Sequence, residues 1–182
     1  MRVIAGEAKG RRLRTAPSKK VRPSGDRLKE ALFATLGAGI ERKTVLDLFA
    51  GSGALGIEAL SRGAAHATFV ESYHEAASMI RANLQATGLE DRATVVRSTV
   101  EQFLSSPTSR PFDVVFMDPP YATGVPSRLL DAMASGGLVH GDSLVVVEMS
   151  SRTEKGLLPS RYRLADERRY GDSTLLYLKV AQ

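Results

Sequence analysis

Residues 44–56 read Thr-Val-Leu-Asp-Leu-Phe-Ala-Gly-Ser-Gly-Ala-Leu-Gly, and this stretch decides the fold. Thr44–Phe49 is an apolar run with the length of a buried strand. Ala54–Ser61 then reads as a helix ending near Gly63. Between them, Gly51 and Gly53 permit a tight turn and let a ligand come close to the backbone. The helix N-terminus meets that ligand with free N–H groups. Glu71 ends the next apolar segment, twenty residues after Gly51. A carboxylate there can accept hydrogen bonds from both hydroxyls of a ribose. The constellation matches the dinucleotide fingerprint, so it points to an adenosine-bearing cofactor. Nicotinamide and flavin enzymes stay open on this motif alone.

Working outward, short apolar runs alternate with helical stretches. Strands are predicted at Ala67–Glu71, Ala93–Arg97, Phe112–Asp118 and Ser143–Met149, with helices at Tyr73–Thr87, Val100–Ser105 and Ser127–Ser135. Two more strands, Tyr162–Tyr170 and Ser173–Val180, flank Gly171-Asp172, a pair suited to a type II′ hairpin turn. Such alternation implies parallel βαβ units with helices on both sheet faces, closed by an antiparallel hairpin strand. Upstream, Asp26–Leu36 reads as a helix stopped by Gly37 and Gly39, with Lys29 and Glu30 as a solvated pair. Residues 1–24 read as extended or hairpin-like. The chain divides into an N-terminal extension, 1–40, and an α/β domain, 41–182.

A second motif narrows the chemistry. Asp118-Pro119-Pro120-Tyr121 closes the fourth strand. Ligands of open α/β sheets bind beyond the carboxyl ends of the strands, so Asp118 and Gly51 belong on one edge. An exocyclic amine of a nucleic-acid base is a poor nucleophile, because its lone pair is delocalised into the ring. Two acceptors on its N–H bonds pull the nitrogen toward a tetrahedral form, and the Asp118 carboxylate and Pro119 carbonyl can serve. Tyr121 offers an aromatic face to a flipped base, a contact worth about 1–3 kcal/mol in nucleic-acid sites. A carboxylate can engage guanine N1–H and N2–H together, whereas adenine presents an acceptor beside its amine; Asp118 therefore leans toward guanine.

Charge adds a partner. The first 29 residues hold ten Lys/Arg against Glu7 and Asp26, a net +8 on a chain whose total is +5. Arg2, Lys9, Arg11, Arg12, Arg14, Lys19, Lys20 and Arg22 thus form a candidate polyanion-binding arm. Cysteine is absent, which excludes disulfides and Cys-ligated metals, and His66, His74 and His140 show no metal-ligand spacing. No apolar run reaches the roughly 18 residues of a membrane span. The start lacks the apolar core of a secretory signal, so a cytoplasmic protein is expected.

These segments together resemble the RsmD-type 16S rRNA guanine-N2 methyltransferases. The likeness rests on VLDLFAGSGALGIEALSRGA (45–64), FVE (69–71), FDVVFMDPPY (112–121), RVIAG (2–6), KGRRL (9–13) and RPSGDRLKEALF (22–33). The glycine turn and DPPY are shared by many amino-methyltransferases, and the N-terminal segments point to this family. The resemblance implies a class I methyltransferase fold, Rossmann-like, with S-adenosyl-L-methionine as donor and S-adenosylhomocysteine as product. It implies a guanine of 16S rRNA, in a partly or fully assembled small ribosomal subunit, as acceptor. A monomeric enzyme is expected. By position, Asp47, Gly51, Ser52 and Gly53 bind the methionine end, Glu71 the ribose, and Thr99 and Val100 the adenine. Many relatives carry Asp or Asn near Thr99, so the adenine contact here falls to the Val100 backbone. Ser24 stands where the family usually has Thr.

Three other functions fit parts of the sequence. An adenine or cytosine amino-methyltransferase shares DPPY, but a DNA enzyme would need an inserted recognition domain of about 100 residues. A nicotinamide oxidoreductase would need a substrate domain, for which little chain remains. A nucleic-acid-binding factor without catalysis would have no use for Asp118 and Tyr121.

Overall fold

The computed structural model describes residues 1–15, 23–106, 110–119 and 125–181. Five strands run parallel: β1 Thr44–Leu48, β2 His66–Glu71, β3 Ala93–Arg97, β4 Phe112–Met117 and β5 Val139–Ser150. β7 (Ser173–Val180) pairs antiparallel with β5, and β6 (Tyr162–Tyr170) with β7. The sheet order is β3-β2-β1-β4-β5-β7-β6. It reverses direction between β1 and β4, and a crevice for ligands opens at such a switch point. Gly171 has φ 59° and Asp172 has no positive φ, as a type II′ turn requires.

Alternation along the strands sorts side chains onto two faces. Val45, Val114, Phe116, Val146, Leu175 and Tyr177 face one core; Leu46, Val115, Met117, Val147, Leu176 and Leu178 face the other. α2 (Ala54–Ser61) and α3 (His74–Thr87) cover the first face together with α1 (Pro23–Leu36). The Phe33 ring of α1 meets Phe116 edge-on at 5.7 Å between centroids. α4 (Val100–Ser105) and α5 (Ser127–Ser135) cover the second face, where the Tyr162 hydroxyl donates to the Leu130 carbonyl at 2.9 Å.

Three local differences from the sequence expectations have physical causes. α1 starts three residues early, at Pro23, because proline suits the first turn of a helix. β5 starts four residues early, at Val139, through a register shift against β4. There the Ser143 hydroxyl accepts from His140 N–H and donates to the Phe112 carbonyl, stitching the irregular segment. Lys29 is the largest correction. It is buried rather than solvated, paired with Glu58 at 3.1 Å, and donates to the Arg2 carbonyl at 2.6 Å. Lys29 sits on the core face of α1 beside Leu32 and Phe33, and its counter-charge lies 29 positions away in the chain.

Residues 1–15 take the hairpin-like course expected of them. Arg2 and Arg12 form an antiparallel bridge, and Val3 N–H donates to the Arg11 carbonyl. Val3, Ala8 and Leu13 are buried in the first core. The Glu58 carboxylate of α2 accepts from the Ile4 and Ala5 amides at 2.8 and 3.0 Å and from Arg62 at 2.8 Å. This part of the arm is therefore held by the protein itself.

Candidate active site

β1 delivers the chain to the switch point at Leu48, which pairs with Val70 of β2 and Met117 of β4. The glycine turn, Glu71 and Asp118 consequently lie side by side on one rim. Phe49, Gly51 and Gly53 all have positive φ (59°, 57° and 76°), folding the chain back sharply. A phenylalanine in this region costs about 1–3 kcal/mol. A Cβ on Gly51 would meet only the Phe49 carbonyl, at 3.9 Å, so the turn is open on that side. A Cβ on Gly56 would lie 2.3 Å from the Phe69 ring, so the third glycine of the motif lets α2 rest directly on β2.

Asp47 is buried and accepts from the Gly56 N–H at 2.9 Å. Gly53 caps α2 without a side chain, and Asp47 supplies the missing acceptor from the strand. Burial pushes the Asp47 carboxyl up to about 8; the Gly56 N–H opposes the rise, and negative charge on Asp118 and Glu71 adds to it. Glu71, also buried, accepts from the Gly51 N–H and the Tyr73 N–H, each at 2.9 Å. A carboxylate has about four lone-pair sites, so capacity for further donors remains. Glu71 and Asp118 place negative charge on one rim, which favours a cationic ligand, and such a ligand beside Asp47 would favour its ionisation.

Ser98 N–H donates to the Glu71 carbonyl, bringing the start of α4 to the same rim. Thr99 caps α4: its hydroxyl accepts from Gln102 N–H at 3.2 Å, while the Gln102 side chain returns to the Thr99 amide. Val100 is buried. Asp118 is exposed and Pro119 half-buried; Tyr121 lies outside the described residues. Arg2, Lys9, Arg11, Arg12 and Arg14 are exposed, while Lys19, Lys20 and Arg22 lie outside the described residues. Among the described residues no cluster of three or more His, Asp or Glu could hold a metal. No described helix is long and apolar enough to cross a membrane.

Two structural anchors escape the sequence reading. Glu58 sits fully buried inside an otherwise apolar helix, and Asn83 sits on the core face of α3 beside Ile80 and Leu84. A polar residue at a core position of an amphipathic helix is the signal that could have found both.

The strand order, the glycine turn after β1 and the acid ending β2 define a Rossmann-like class I methyltransferase fold. The chain belongs to the RsmD-type family: the model described as "Conserved hypothetical protein 95" matches residues 1–179. It is 36% identical over 173 residues to Ribosomal RNA small subunit methyltransferase D of Haemophilus influenzae, covering 94% of this chain and 89% of that one. Identity to the protein of the same name from Escherichia coli K12 is 37% over 185 residues, covering 100% and 91%. A solved Escherichia coli structure, 35% identical, superposes with a TM-score of 0.86 over 100% of this chain and 99% of that one.

Proposed function

We propose that this protein transfers a methyl group from S-adenosylmethionine to the exocyclic N2 of a guanine in 16S rRNA. The observation that carries the reading is the shared rim, where a glycine turn, the Asp47 and Glu71 carboxylates and Asp118 meet at the switch point between β1 and β4. S-adenosylmethionine fits it, with a sulfonium and an ammonium for a rim of carboxylates and a ribose for Glu71. Bound there, it supplies an electrophilic methyl group.

The protein's own residues do the rest. The Gly51–Gly53 turn and Asp47 hold the methionine end. Glu71 accepts from the ribose hydroxyls on lone pairs left over from Gly51, Tyr73 and the Ser72 hydroxyl, which donates to it at 3.4 Å. With the Thr99 hydroxyl committed to its cap, the adenine is met by the Val100 backbone. Asp118 and the Pro119 carbonyl accept from the guanine amine, and Tyr121 stacks on the base. The nitrogen forms its bond to the methyl carbon as the carbon–sulfur bond breaks, leaving S-adenosylhomocysteine. The nitrogen then sheds a proton, through Asp118, to water. Alignment of amine and methyl lowers the barrier by proximity.

The exposed arginines of the arm bind phosphates, and relatives named as ribosomal RNA small subunit methyltransferases support an rRNA acceptor. In this reading the acceptor lies in a partly or fully assembled small subunit and the enzyme acts as a monomer. The test is mass spectrometry of nucleosides from 16S rRNA treated with the protein and S-adenosylmethionine. The expected product is N2-methylguanosine; N6-methyladenosine, or no methylated base, overturns the reading.

A further inference from the structure

Asn83 is almost wholly buried, and all its amide groups are engaged by two segments far apart in sequence. Its Nδ2 donates to the Ser52 carbonyl at 2.8 Å and to the Arg14 carbonyl at 3.0 Å. Its Oδ1 accepts from the Arg14 N–H at 2.8 Å. Pairing both the N–H and the C=O of Arg14 is the two-point contact that a neighbouring strand would make, and it fixes the backbone of the arm at that residue. Ser52 stands between Gly51 and Gly53, in the turn whose shape defines the cofactor site. That turn is held on its other flank by Glu71, through Gly51 N–H. One side chain thus joins the basic arm to the cofactor turn, and neither partner can shift without disturbing the amide that the other uses.

We propose that Asn83 is a positioning residue that couples the two sites: filling the cofactor site steadies the turn, and through Asn83 steadies the arm in its RNA-binding register. The inference rests on reading the turn as the S-adenosylmethionine site and the arm as an RNA contact. Coupling between sites is reciprocal, so RNA on the arm tightens cofactor binding by the same factor.

The first test uses the unaltered protein. Hydrogen exchange at the Arg14 amide, which donates to Asn83, is measured with and without saturating S-adenosylhomocysteine. Slower exchange is expected with it. Unchanged exchange, while titration calorimetry shows the ligand bound, overturns the inference and leaves the proposed function standing. Failure of S-adenosylhomocysteine to bind at all overturns both. The second test compares affinity for a 16S rRNA fragment, with and without S-adenosylhomocysteine, in the wild type and in Asn83→Ala, checked for folding by circular dichroism. The ligand is expected to raise RNA affinity about fivefold or more in the wild type, the lower end of typical couplings, and by less than about twofold in the variant. Equal enhancement in both overturns the coupling role.

Discussion

Asp47 caps α2 from a buried position and, in the proposed function, also faces a cationic ligand; burial and ligand pull its protonation in opposite directions. In the protein without ligand its carboxyl, buried among other acids, titrates near 8 instead of its ordinary 3.8. A cationic ligand beside it favours the ionised form, so below about pH 8 binding must expel a proton. S-adenosylmethionine affinity is therefore expected to rise with pH, by up to about tenfold per unit, and level off above 8. Asp47→Asn should flatten that slope in calorimetric titrations. Stability runs the other way. The raised value means that the folded state holds a proton that the unfolded chain has already lost between pH 3.8 and about 8. The ligand-free protein should melt lower at pH 8 than at pH 6, with a smaller difference in Asp47→Asn. At Asp118 the expectation is kinetic. Asp118→Ala should lower turnover about 10²–10³-fold, the scale of removing one electrostatic interaction made in the transition state, with cofactor affinity kept. A matching loss of both would assign Asp118 to the scaffold.

Between elements, the interactions that matter are close approaches and buried charges. α2 lies so near β2 that Gly56→Ala drives a methyl group into the Phe69 ring. Overpacking of this kind costs about 1–3 kcal/mol. Thermal unfolding should shift down by several degrees, at about 2–4 °C per kcal/mol for a domain of this size. Glu58 ties three elements together, holding the arm's Ile4 and Ala5 amides, Lys29 of α1 and Arg62 at the end of α2. Burial alone would raise its carboxyl, but the Ile4 N–H, Lys29 and Arg62 hold it below the ordinary value. The stability it contributes is present above its unfolded value and lost as pH falls through the folded one. Glu58→Ala should cost about 3–5 kcal/mol, since it strands the Lys29 charge in the core. Limited proteolysis should then cut the arm before the sheet domain. An arm that stays protected would show that Val3, Ala8 and Leu13 hold it unaided.

At the scale of the whole molecule, the arm is both a core element and a charged surface, so deleting it would confuse two effects. Reversing exposed charges separates them. Arg11→Glu with Arg12→Glu should leave the melting temperature unchanged and weaken binding to 16S rRNA. For each phosphate that the protein no longer neutralises, the slope of log affinity against log salt should fall by about 0.7–0.9. An unchanged slope would remove these residues from the RNA interface.

The sequence alone determined the elements and the family. Period-two and period-3.6 patterns set out the strands and helices, and the Gly51–Gly56 turn, Glu71 and Asp118-Pro119 supplied the residues from which the proposed function is argued. These signals are local, because backbone geometry and side-chain type act over a few residues. Tertiary structure alone decided which residues meet. Lys29 lies 29 positions from Glu58, Arg14 lies 69 from Asn83, and Asp47 caps a helix whose own N-cap, Gly53, has no side chain to offer. No periodicity encodes such pairs, since each partner looks solvent-directed until the sheet order brings it against the other and burial removes water as the alternative.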